Sequence, residues 1–139
     1  MNRHQVNYTR ILVAGLAAGF IINAMEFLAN FLWFSQQWSD ALHGAQLTAT
    51  QAVGLIGWGF IIGPLMAWLY AALIPQFGKG FKTAIIAAVF LWIPGYALAN
   101  FLPALLGFVS SSLMAELTVV GLIEFIAGGV AAANIINRE

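Results

Sequence analysis

Glu26 and Glu124 are the two side chains in this sequence whose surroundings most demand a chemical explanation. Each lies inside a long apolar run, and a charge at membrane depth costs at least ~2.5 kcal/mol unless something compensates it. Helical steps of three and four gather neighbours around both. Gly15, Gly19, Asn23, Glu26 and Asn30 fall on one helix face, and Gly121, Glu124, Gly128 and Ala131 on another. Small residues let helices approach closely, and amide side chains can bond a carboxyl that has no water. Asn23 and Asn30 are therefore candidate partners of Glu26. Two kinds of chemistry fit these faces. The carboxyls can be protonated, hydrogen-bonded glue inside a bundle, or they can form a proton relay, a cation site or a polar substrate pocket.

Other chemistry has little to stand on. Cysteine is absent, which removes disulfide exchange, thiolate metal sites and cysteine nucleophiles. The two histidines, His4 and His43, fall outside the apolar runs, so a histidine-held haem within the bilayer is not expected, and no cofactor is. Asp40 and His43 are too few ligands to define a metal site. No phosphate-binding glycine loop, H-E-x-x-H, G-x-S-x-G or S-x-x-K pattern occurs. The net charge is zero and no basic run exists, so nucleic acid is not an expected partner.

The elements that must position the two glutamates are transmembrane helices. Charged residues make up 7% of the chain, far below the roughly one quarter that keeps a soluble surface wet. Four apolar segments, about 9–34, 52–74, 83–108 and 113–136, each approach or exceed the ~20 residues that cross a bilayer as helix. Alternating ten-residue strand patterns are missing. The expected fold is an all-α, membrane-spanning four-helix bundle in one domain, residues 1–139. Counting back from the helix ends puts Glu26 and Glu124 in the same half of the membrane. Gly59 and Gly63 offer a further close-contact face on the second helix. Pro64, Pro94 and Pro103 lie within spans, where each frees a carbonyl and kinks or shapes its helix. Pro75 to Gly80 reads as a tight turn, and Ser35 to Gln51 as a polar loop. Trp58, Trp68 and Tyr96 are expected to pack deeper than the interfacial aromatics.

Orientation follows from five basic residues. Arg3, Arg10, Lys79, Lys82 and Arg138 all fall at one end of the bundle, and the opposite loops have no Lys or Arg. The positive-inside rule then puts both termini in the cytoplasm. The first apolar run extends to Phe34, too long for a signal-peptide core, so it is expected to remain as a span.

A repeat is also visible. Leu28-Ala29-Asn30-Phe31-Leu32 recurs as Leu98-Ala99-Asn100-Phe101-Leu102, and Val53-Gly54-Leu55-Ile56 recurs as Val120-Gly121-Leu122-Ile123. The offsets are 70 and 67, in the same order. Two tandem hairpins related by an axis along the membrane normal would give this pattern, and would make Asn100 the counterpart of Asn30.

The set Gly15-Leu16-x-x-Gly19-x-x-x-Asn23-x-x-Glu26-Phe27, with Trp58-Gly59-Phe60, Trp68-Leu69-Tyr70-Ala71-Ala72, Gly121-Leu122-Ile123-Glu124 and the ending Asn137-Arg138-Glu139, resembles small bacterial four-helix membrane proteins to which no activity is assigned. The resemblance covers most of the chain and implies a bacterial inner membrane. Three functions compete. A non-enzymatic accessory or small-ligand-binding module in the lipid bilayer, with a homo-oligomer or a larger membrane complex as its candidate assembly, comes first. A proton- or cation-coupled transporter or channel built on Glu26 and Glu124 is second. An enzyme using them as acid and base is third.

Overall fold

The computed structural model describes residues 7–138. Arg3, His4 and Glu139 lie outside them. Helix α1 (Tyr8–Leu28) runs into a π-helical turn, Ala29–Trp33, and together they form the first span. A short surface helix α2 (Ser35–Ala41) follows, then the second span, α3 (Ala49–Phe77). The third span is composite: α4 (Phe81–Trp92), a π-helical turn Ile93–Ala97, and α5 (Leu98–Leu105). Helix α6 (Ser111–Ile136) is the fourth. All four spans are long and apolar enough to cross a membrane, and the chain is an all-α four-helix bundle.

Local signals set most of the helix ends. Asn7 caps α1, its side chain accepting from the Arg10 amide at 3.0 Å. Thr48 and Gln51 form a reciprocal capping box at the start of α3, and Ser110 caps α6. The turn between the second and third spans is shorter than the sequence suggests, because α3 continues through Pro75 to Phe77. A proline near the end of a helix removes only one backbone bond. The stop comes instead from Gly78, which adopts φ +79° and donates its amide to the Ile74 carbonyl. The expected loop from Ser35 to Gln51 likewise begins with helix, and α2 packs Trp38 and Ala41 against Phe34, Leu113 and Leu117.

Packing is inverted relative to a soluble protein. Phe20, Phe31, Trp33, Phe90 and Phe101 face outward, while the interior is made largely of Ala14, Ala18, Ala67, Ala84, Ala87, Ala88 and Ala132. Lipid satisfies the large apolar side chains, so helix association rests on close approach through small residues. Trp58 and Trp68 belong with the exposed set, at 38% and 57% exposure, and only Tyr96 of the expected deep aromatics is buried.

Helix α6 touches all three other spans, α1 packs on α3 and α6, and α3 also meets α4. The first and third spans form the open diagonal. Their backbones hardly approach, and they meet through side chains at one place, described next.

Candidate functional site

The side chain that joins the two glutamates is Tyr96. Its hydroxyl is hydrogen-bonded to Glu26 Oε2 and lies 3.1 Å from Glu124 Oε2. Glu124 and Tyr96 are buried and Glu26 is half-buried. Three spans therefore contribute one polar group each to a single cluster.

The third span has to be irregular to deliver that hydroxyl. Pro94 and Gly95 sit inside the π-helical turn Ile93–Ala97, where the backbone ladder widens by one residue and Tyr96 is aimed inward. Its ring is then boxed in. Trp58 and Phe125 stand edge-on to it, with centroids at 5.9 Å and 5.5 Å. Gly121 forms the remaining wall: a Cβ there would lie 2.6 Å from the ring carbons. Rotation of the phenol is blocked on several sides, so its oxygen is held between the carboxyls.

Hydrogen-bond counting restricts the protons. A phenol has one proton and donates to one acceptor at a time. If it donates to one carboxyl, the other contact is a hydrogen bond only when a carboxylic O–H donates to the phenol oxygen. Both contacts are satisfied as hydrogen bonds only if at least one carboxyl carries a proton. No Lys or Arg compensates the cluster along these helices. Arg10 is sixteen residues from Glu26, about 24 Å along the axis, and Arg138 and Lys82 are each fourteen from Glu124 and Tyr96, about 21 Å.

Glu124 has a further peculiarity. Its Oε1 is buried and has no hydrogen-bond partner among the described residues. Gln37 and Asn137 each leave one such oxygen, but near the ends of the bundle rather than within it. An unsatisfied buried acceptor costs about 1–3 kcal/mol, more if charged. Beside Glu124 runs a cavity of about 350 Å³, walled by Met25, Leu28, Phe34, Val120 and Ile123, with Trp33 at its exposed edge.

The amides anticipated as carboxyl partners do other work. Asn23 reaches across to α3, donating to the Ile56 carbonyl at 3.1 Å and lying directly over Gly59. Asn30 donates to the backbone carbonyl of Glu26, not to its carboxyl, at 2.8 Å, and accepts from Trp38 Nε1 at 2.6 Å. It therefore ties α2 to the π-helical turn of the first span. Asn100 donates to Thr118 Oγ1 at 3.0 Å and lines a separate cavity of about 470 Å³ between α5 and α6. The glycines meet neighbouring helices. Gly15 and Gly63 face one another, Gly19 lies on Gly59 and Phe60, and Gly128 lies on Ile22.

From sequence Tyr96 is expected to pack deep, as it does, but without a role at the glutamates, although two signals point to one. Pro94-Gly95 in mid-span marks a place where the helix cannot be regular. The second signal is positional: Tyr96 precedes the pentapeptide Leu98–Leu102 by two residues, as Glu26 precedes the identical Leu28–Leu32.

Comparison of the chain with protein-family models, with curated proteins and with solved structures found no match. Function must be read from the cluster itself.

Proposed function

We propose that this multi-pass membrane protein is a non-enzymatic small-ligand-binding module whose site is the Glu26–Tyr96–Glu124 cluster. One observation supports the reading: carboxyls from two spans and a phenol from a third meet in one cluster, and Glu124 of that cluster also lines an apolar cavity. A cavity of this size lies in the range of small-molecule sites, which are apolar with few polar groups.

The test is a thermal-shift survey of the purified protein against amphiphilic acids, alcohols and amines, repeated on Glu124→Gln. A class that raises the melting temperature of the wild type and not of the variant is the expected result. Equal shifts in both proteins, or none in either, would remove the reading. The alternative is proton- or cation-coupled transport, favoured by three titratable groups that meet in one chain of hydrogen bonds. Reconstitution in liposomes with an internal pH dye separates the two. Flux that disappears when Glu26 and Glu124 are both changed to Gln would put transport in place of binding.

The same proposal places the protein in a bacterial inner membrane with both ends in the cytoplasm. Arg10, Lys79, Lys82 and Arg138 gather at one end of the bundle, where Arg10 donates to the Ile136 carbonyl at 3.5 Å, and this supports the orientation. Assembly as a homo-oligomer or within a larger complex belongs to the same reading. Descent from two tandem hairpins is supported by the alignment of Tyr96 with Glu26.

A further inference from the structure

The pentapeptide Leu-Ala-Asn-Phe-Leu occurs near the end of the first span and again in α5, and its two asparagines are differently served. Asn30 Oδ1 accepts a hydrogen bond at 2.6 Å from the indole N–H of Trp38, which α2 supplies. The link between α5 and α6, residues 106–110, contains no helix to take the place of α2. Asn100 Oδ1 accepts no hydrogen bond among the described residues. The direction of that oxygen is set by its neighbour. Thr118 gives its one hydroxyl proton to the Met114 carbonyl at 2.6 Å, so toward Asn100 it can only accept. The amide must then turn its NH2 group to Thr118 and its oxygen away. Unlike Glu124 Oε1, this oxygen is not sealed in. Asn100 is half-buried and lines the cavity of about 470 Å³ between α5 and α6.

The wall of that cavity restricts what can meet the oxygen. Ala97, Ala104 and Ala115 leave the space, Phe101 and Met114 supply the larger side chains, and no lining residue is charged. An ion there would have no countercharge in the wall, so a neutral donor is favoured. Phe101 and Ala115 are exposed on the outside of the bundle, where the surroundings are lipid, so entry from the bilayer requires an apolar body. Aromatic rings in addition make favourable contacts with a thioether such as that of Met114. We propose that this cavity is a second ligand site, separate from the carboxyl cluster, for a neutral lipophilic aromatic molecule whose N–H or O–H is bonded to Asn100 Oδ1 as Trp38 is bonded to Asn30. Asn100 selects for the donor, Thr118 holds the amide in its orientation, and the three alanines set the room for the ring. A saturated acyl chain fits the wall equally well but leaves the oxygen without a donor.

The experiment is equilibrium binding of tritiated para-octylphenol to the protein in lipid nanodiscs, read by scintillation proximity against protein-free discs. Saturable binding of one equivalent per chain is expected. Unlabelled para-octylanisole, the methyl ether that has no donor, should compete at least tenfold less well than unlabelled phenol. Asn100→Leu keeps the bulk of the side chain, removes the acceptor and should weaken binding at least tenfold. Ala115→Trp supplies an independent variant, because this exposed position can take bulk into the cavity without entering the core. It should weaken binding at least tenfold with Asn100 intact, and together with the ether it decides the matter if Asn100→Leu fails to fold. Absence of saturable binding, or binding unchanged in Ala115→Trp, would overturn the proposal. So would equal competition by the ether or full binding to Asn100→Leu, either of which would mean an apolar groove filled by lipid chains. Dimerisation that excludes the phenol would overturn it in favour of a second copy in the cavity. None of these outcomes involves Glu26 or Glu124, so the reading of the carboxyl cluster stands or falls by its own test.

Discussion

Helix α1 uses one face in two opposite ways. Toward the basic end, Gly15 and Gly19 bring its backbone against α3 so closely that a Cβ on Gly63 would lie 2.2 Å from the Gly15 carbonyl oxygen. Two turns further on, Glu26 reaches across the open diagonal to Tyr96, where the backbones stand apart and side chains do the joining. The first contact is dry, complete and without polar side chains until Asn23. The second is polar, incomplete at Glu124 Oε1 and bordered by a cavity. A membrane bundle without a hydrophobic force between its helices needs contacts of the first kind to hold together. Contacts of the second kind add little to that task and leave a group free for chemistry.

The sharpest way to break this distinction is to load the dry contact. Gly63→Leu places side-chain atoms where Gly15 and Gly19 already stand, and neither backbone can move without separating α1 from α3. Overpacking of a well-filled core costs about 1–3 kcal/mol and sometimes more, and here the opposing atoms are backbone. Loss of at least ~3 kcal/mol, or failure to recover folded protein, is expected in reversible unfolding in mixed detergent micelles. A near-normal melt would show that the two helices are held by something other than this contact.

The polar cluster should respond more mildly. Tyr96→Phe keeps the ring between Trp58, Phe125 and Gly121 but removes the hydroxyl from both carboxyls. Hydrogen bonds between membrane helices contribute on average about 0.6 kcal/mol and at most about 1.7 kcal/mol each. A loss of about 1–2 kcal/mol is therefore expected, with the fold retained. The functional reading predicts a larger relative effect on ligand response than on melting, because Glu26 and Glu124 lose the donor that sets their geometry. A variant with full ligand response would relegate the tyrosine to packing.

How much of this was legible follows from what each signal depends on. Spans and glycine faces depend on local period, so the helices Tyr8–Trp33, Ala49–Phe77, Phe81–Leu105 and Ser111–Ile136 lie close to the expected segments. The partner of a glutamate depends on which helices adjoin and where their ladders slip, and neither is periodic. Asn23 and Asn30 share a face with Glu26 and were natural partners, yet an amide on the same helix faces the same neighbour and seldom folds back. Asn23 follows Gly15 and Gly19 onto α3, while Asn30 stands at a π-helical turn and bonds a backbone carbonyl. Tyr96 needed a π-helical turn to arrive, and no heptad or helical wheel contains one.

The finest test of the comparison uses two copies of one tetrapeptide. Gly54 and Gly121 both sit in Val-Gly-Leu-Ile, and a reading of sequence alone would treat them as equivalents. Gly54 has nothing within 4 Å of where a Cβ would be, on the outward side of α3, whereas Gly121 lies under the Tyr96 ring. For Gly54→Ala the surroundings are indifferent and only the backbone responds. Alanine restricts the unfolded chain and favours helix by about 0.5–1 kcal/mol, so a small gain in stability is expected. For Gly121→Ala the same backbone gain opposes a methyl 2.6 Å from ring carbons that Trp58 and Phe125 prevent from swinging away. Displacement of the ring also draws the hydroxyl from the carboxyls, so a net loss of about 1 kcal/mol is expected from overpacking. Combining Gly121→Ala with Tyr96→Phe should then cost less than the sum of the two, because the hydrogen bonds can be lost only once. Equal effects at Gly54 and Gly121 would contradict the packing described for the phenol. Strict additivity in the double variant would mean that Gly121 acts on the fold without acting through Tyr96.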